Sequence, residues 1–149
     1  MTVPWVPQPA PDNVRPRSWR IRLLVRLAPQ HAESHSGFID TILDTGALWT
    51  TFTHDHSPMI GVDDITSGLA TRVRWFGRDH PAWQHRVRLT IAVKPDQSDT
   101  ITLDVFDVLF IRQFPHGRSG RLVSLGVLGM DCVALLRLTL DGSTATTRF

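Results

Sequence analysis

Phe38-Ile39-Asp40-Thr41-Ile42-Leu43-Asp44-Thr45-Gly46-Ala47 is the stretch on which the fold of this 149-residue chain turns. Residues 38–43 are rich in β-branched and aromatic types and read as a strand that runs directly into Asp44-Thr45-Gly46. A carboxylate at such a strand end is presented to solvent from a rigid support. Gly46 allows a tight turn and lets its N–H approach the carboxylate, while the Thr45 hydroxyl can bond backbone groups and fix the loop. The tripeptide alone carries little, because short motifs recur by chance and an aspartate that merely caps a strand end looks the same.

Upstream, Ile21, Leu23, Val25 and Leu27 alternate with Arg20, Arg22 and Arg26, the period-two pattern of a half-buried strand. Downstream, residues 48–52 resume an extended course, and 54–64, with Pro58, Gly61 and several charges, read as a surface loop. Val73 and Trp75 then alternate with Arg72 and Arg74. Beyond Gly77-Arg78-Asp79, Val87, Leu89, Ile91 and Val93 alternate with Arg86, Arg88 and Thr90, so the segment predicts a long hairpin. A strand over 100–111 follows a turn at 94–99. A looser segment leads to the apolar run 122–128, which ends at Gly129. Residues 130–135 suit a short helix, and Leu136, Leu138 and Leu140 alternate with polar residues as a closing strand. Several strands and one short helix make the class all-β, with no repeat or linker to divide it.

A chain of this length builds its core without disulfides or structural metal. Cys132 is the only cysteine, which excludes an intramolecular disulfide and a four-cysteine zinc site and fits a reducing compartment. The richest apolar stretch, 122–140, is interrupted by Ser124, Asp131 and Arg137, so no membrane span is expected. Residues 1–16 carry Pro4, Pro7, Pro9, Pro11 and Pro16 and lack the basic start and apolar stretch of a signal peptide. They are expected to form an exposed arm, and the protein to be cytoplasmic. The net charge of +2 rests on arginine, Lys94 being the sole lysine, and does not by itself imply nucleic acid.

Ile42-Leu43-Asp44-Thr45-Gly46-Ala47 resembles the signature of the retropepsin-like aspartic proteases, an apolar strand followed by Asp-Thr-Gly-Ala or Asp-Ser-Gly-Ala. Val127-Leu128-Gly129-Met130-Asp131, followed by a helical turn and a strand, resembles that family's second element. The hairpin centred near Phe76-Gly77-Arg78 falls where the family places its mobile flap. The resemblance divides the chain into a proline-rich arm (1–17), a retropepsin-like domain (18–141) and a C-terminal tail (142–149), and it implies an acid-protease barrel with one short C-terminal helix. Such hydrolysis needs two carboxylates, and only one Asp-Thr-Gly or Asp-Ser-Gly occurs here. The resemblance therefore implies a homodimer acting on polypeptide, with Asp44 of each subunit as the catalytic pair and Thr45, Gly46 and Ala47 in support. The pair shares one proton and requires no metal or other cofactor. Trp75, Phe76 and Gly77 would cover the substrate. This tip departs from the glycine-rich flap of retroviral members, and the absence of tyrosine excludes a pepsin-like flap tyrosine.

Two other readings stand beside the protease: a non-catalytic peptide-binding member of the fold, and a dimerisation module with the proline-rich arm as its interaction element. His54-Asp55-His56 reads as a solvated loop rather than a metal site. Arg72, Arg74, Arg86 and Arg88 read as a solvent-facing charge row on the hairpin. Cys132 reads as a packed thiol, and Trp49 and Phe52 as core.

Overall fold

A computed structural model describes residues 2–7, 19–32, 36–75, 77–94, 96–113, 126–141 and 144–148, with only the backbone described in the strands nearest the two ends. In chain order the strands are β1 (Thr2–Pro7), β2 (Trp19–Pro29), β3 (Ile39–Leu43), β4 (Thr51–Thr53), β5 (Leu69–Trp75), β6 (Arg78–Ala92), β7 (Thr100–Ile111) and β8 (Gly126–Leu128). The short helix α1 (Met130–Val133) and strands β9 (Arg137–Asp141) and β10 (Thr144–Arg148) complete the chain. Neighbouring strands run β6-β7-β4-β8-β3-β2, and β2 pairs back onto β6 with Val25 opposite Ile91 and Leu27 opposite Leu89. Six strands thus close on themselves, which leaves no free edge in the barrel wall.

Alternation decides what fills this barrel. Leu23, Val25 and Leu27 of β2 and Ile39, Thr41 and Leu43 of β3 point inward, while Arg22 pairs with Asp40 on the outer face. Thr41 is the polar exception, and its hydroxyl donates to the Leu23 carbonyl at 2.7 Å, so the buried oxygen is satisfied. β4 is only three residues long but buried on both faces, with the Phe52 ring 6.2 Å from that of Phe110. β6 serves two roles: its first part pairs with β5 as a hairpin, and its second joins the barrel. The register slips between Val87 and Leu89, and a bulge of this kind bends a strand so that one continuous segment can do both.

Three segments differ from the sequence reading. Residues 54–64 are not merely a surface loop: a 3-10 helix (His54–Ile60) buries His56, Ser57 and Ile60 against the barrel. Polar and proline residues concealed the contribution of this segment to the core. Thr2–Pro4 pair with β10 and Trp5–Pro7 with β2, so this part of the arm is integrated into a sheet. Each of its prolines has a strand neighbour on one side in this pairing, where a missing N–H is tolerated. Residues 144–148, assigned to a tail, form β10 against β9. No helix among the described residues is long and apolar enough to cross a membrane.

Candidate active site

β3 delivers the chain to the site. Its last residue, Leu43, lies opposite Leu128 of the parallel strand β8, and the Asp44 N–H continues the ladder to the Leu128 carbonyl at 3.0 Å. The Ala47 N–H donates to the Asp44 carbonyl at 3.1 Å, closing a turn over Asp44–Ala47. Inside it the Gly46 N–H donates to Asp44 Oδ1 at 2.8 Å. A Cβ on Gly46 would stand 3.2 Å from that oxygen, so a side chain there would press on the carboxylate. Thr45 is exposed, and its hydroxyl makes no hydrogen bond among the described residues, in contrast to the local role expected of it.

Past the turn the loop is fastened to α1. The Met130 N–H donates to the Ala47 carbonyl at 2.8 Å and the Asp131 N–H to the Leu48 carbonyl at 3.2 Å. Gly129 makes this approach possible, because a Cβ there would lie 2.5 Å from the Trp49 carbonyl carbon. The Asp131 carboxylate accepts the Thr50 N–H at 2.9 Å, the Thr50 hydroxyl at 2.7 Å and the Cys132 N–H at 2.7 Å. Thr50 Oγ1 in turn accepts the Gly129 N–H at 3.1 Å. Thr50 is fully buried, so this knot replaces water for groups that water cannot reach. Sequence reading did not single out Asp131: an acidic residue in the first turn of a short helix gives no sign of a partner 81 positions away.

Asp44 opens onto a cleft of about 580 Å³. One wall is the loop from Gly46 to Trp49, and the other is the hairpin, through Arg72, Val73, Arg74, Trp75 and Asp79. At the hairpin tip Trp75 pairs with Arg78, and Gly77 takes a left-handed φ of +76°, which favours glycine. The structure therefore brings Asp44, Gly46, Ala47 and Trp75 to one cleft and places Gly77 at the end of the hairpin that walls it. Phe76 lies outside the described residues. Trp49, expected in the core, is instead 49% exposed at the cleft, whereas Phe52 is fully buried.

The remaining candidates go elsewhere. His54 Nδ1 donates to the Arg112 carbonyl at 2.6 Å, while His56 packs edge-on to Phe52 with ring centres 6.0 Å apart. Burial holds the His56 imidazole below its ordinary value, against an opposing pull from Asp55. Among the described residues no group of three or more His, Cys, Asp or Glu is placed to hold a metal. Burial, with Asp131 adding to it, pushes the Cys132 thiol up to about 12. The arginine row is split: Arg86 and Arg88 pair with Asp107 and Asp104 on β7, and Arg72 and Arg74 border the cleft.

A crystal structure of a retropepsin-like aspartic protease from Rickettsia conorii is similar to this chain, with a TM-score of 0.59 and 13% sequence identity over 99% of this chain and 88% of that one. No family model and no curated protein sequence matches. The likeness is one of architecture, and the closed six-stranded barrel with a short helix behind the aspartate loop has the retropepsin-like fold.

Proposed function

We propose that this chain is one subunit of a homodimeric aspartic endopeptidase whose two Asp44 carboxylates, one from each copy, activate a water against a peptide bond. The observation that carries the reading is Asp44 itself: a carboxylate held by the Gly46 amide, on a turn continuous with β3 and β8, at the base of a cleft walled by a hairpin. The similarity in fold to a retropepsin-like protease supports it. One carboxylate cannot serve as both acid and base in a single encounter, and the sequence holds one such motif. Two carboxylates near a two-fold axis cannot both ionise easily, so they share a proton. The ionised member takes a proton from water as it attacks the scissile carbon, and the protonated member donates toward the carbonyl oxygen. The exposed Thr45 hydroxyl would bond across the axis, and Trp75 with the rest of the hairpin tip would cover the substrate. We place this dimer in the cytoplasm, in keeping with a single, buried, unpaired cysteine.

The test is peptide cleavage by the wild type and by Asp44→Asn. Acid–base participation of one side chain contributes about 10²–10⁴-fold, so Asp44→Asn should lose at least about 10²-fold in kcat. Equal turnover by the two proteins would refute the assignment. Sedimentation showing a monomer under conditions of active cleavage would refute the shared dyad. Saturable peptide binding by the wild type with no turnover from acidic to neutral pH would instead favour a peptide-binding module, a reading to which the bulky Trp75 at the hairpin tip lends support.

A further inference from the structure

The cleft beside Asp44 has an asymmetry of charge that the proposed chemistry leaves unused. Four charged residues line it: Asp44, Arg72, Arg74 and Asp79. Two of them answer each other, since Arg74 Nε lies 3.9 Å from Asp79 Oδ1, and the Arg74 guanidinium also reaches the Gly77 carbonyl at 3.5 Å. Asp44 is turned to its own loop through the Gly46 amide. Arg72 has no carboxylate within ion-pair distance among the described residues, in contrast to Arg86 and Arg88, which are matched by Asp107 and Asp104. The two strands of this hairpin carry five arginines, Arg72 and Arg74 on β5 and Arg78, Arg86 and Arg88 on β6. Arg86 and Arg88 are matched by β7 and Arg74 by Asp79, Arg78 sits at the hairpin tip and does not line the cleft, and Arg72 lines the cleft with no ion-pair partner among the described residues.

The surroundings of Arg72 limit what it can recognise. Val73, Trp75, Leu48, Trp49 and Ala47 line the same cleft, and Leu48 and Trp49 are 73% and 49% exposed there. Guanidinium groups favour carboxylates, which they meet with a planar fork of donors, and apolar walls strengthen such a contact once a ligand displaces water.

We propose that Arg72 makes this cleft selective for polypeptide segments that carry an Asp or Glu side chain close to a large apolar one. The inference rests on the endopeptidase reading for the identity of the ligand as polypeptide, and it adds the side-chain chemistry that the ligand presents. Arg72 is a specificity-determining residue, with no part in bond cleavage.

The test uses synthetic peptides with a central Leu-Phe in which Glu, Gln or Lys is walked through the flanking positions. In the wild type, kcat/KM for the best Glu peptide should exceed that of its Gln counterpart by about three- to tenfold, as expected of one charge-assisted contact in a half-open cleft. The Lys peptide should be poorer still. Arg72→Gln should collapse the Glu:Gln ratio, and Arg72→Glu should invert the order in favour of Lys. Binding of the same peptides to Asp44→Asn, followed by fluorescence of the cleft tryptophans, reads the preference without turnover. Failure of proteolysis alone would therefore leave the binding order to decide the matter. Equal affinities for Glu, Gln and Lys peptides, an unchanged preference in Arg72→Gln, or no binding of any peptide would overturn the proposal.

Discussion

Asp131→Ala should weaken the protein far more than an ordinary surface substitution, although Asp131 is only partly buried. The carboxylate accepts two donors from Thr50 and one from the Cys132 backbone. Removing it leaves the Thr50 N–H with no acceptor in a residue that is fully buried, a loss of about 1–3 kcal/mol for the stranded amide. The lost charge-assisted bond to the hydroxyl adds to this, but that hydroxyl can rotate toward another acceptor, so the total is about 3 kcal/mol rather than a sum over three bonds. With an m-value of about 2 kcal/mol/M in urea, the midpoint should fall by roughly 1.5 M, measured at one fixed protein concentration because the proposed dimer would make apparent stability depend on it. Asp131→Asn keeps an oxygen acceptor and should lose about 1 kcal/mol. A double-mutant cycle with Thr50→Val isolates the coupling between the two side chains. If Asp131→Ala unfolds within about 0.5 kcal/mol of the wild type, the knot is not what fastens the aspartate loop to α1.

Gly129→Ala should cost about 2–3 kcal/mol by urea unfolding, since its Cβ would meet the Trp49 backbone at 2.5 Å, whereas Gly37→Ala, with open space around it, should change little. Cys132 should resist thiol reagents near pH 8 in the native state and react once unfolded, because burial holds the thiol up at about 12; labelling at equal rates in both states would contradict this. For His56 the folded-state pKa is lowered, so as pH falls through the ordinary 6.5 the unfolded chain binds the proton first. Stability should therefore decline from about pH 6.5 downward, until the lowered folded-state value is reached, and His56→Leu should flatten that part of a stability curve; the same slope in both proteins would remove His56 as its source.

How far the sequence could be read depended on whether each signal was local. Alternation along β2, β3, β6 and β7 reports which face is buried, and those strands were legible because one side of each meets the core. Asp44-Thr45-Gly46 was legible for the same reason, since its turn closes within four residues. Trp49 was misplaced because its hydrophobicity argued for burial, whereas only its backbone is closely packed, against Gly129 from far along the chain, and the residue is 49% exposed at the cleft. Residues 54–60 lost their core contribution behind Pro58 and two histidines, and β1 and β10 carry prolines and threonines without the usual alternation of an apolar face. Asp131 needed Thr50 to have a meaning, and no local pattern links the two.

That separation bears on how the proposed site comes into being. The turn bearing Asp44 can close by itself, through contacts between residues two or three apart. Its orientation cannot, because Asp44 is placed by the Leu128 carbonyl, Ala47 and Leu48 by Met130 and Asp131, and Thr50 by Asp131. All of these partners follow the whole hairpin and β7 in the chain, so the aspartate loop acquires its position only when β8 and α1 dock between and behind β3 and β4. Contacts of such long sequence separation form late and at an entropic cost. A carboxylate pair that shares a proton depends on placement to a fraction of an ångström. On the proposed reading the exposed turn would supply the chemistry and the buried knot at Thr50, Gly129 and Asp131 the placement, so a substitution in the knot should lower turnover even where Asp44 and every residue lining the cleft are left intact.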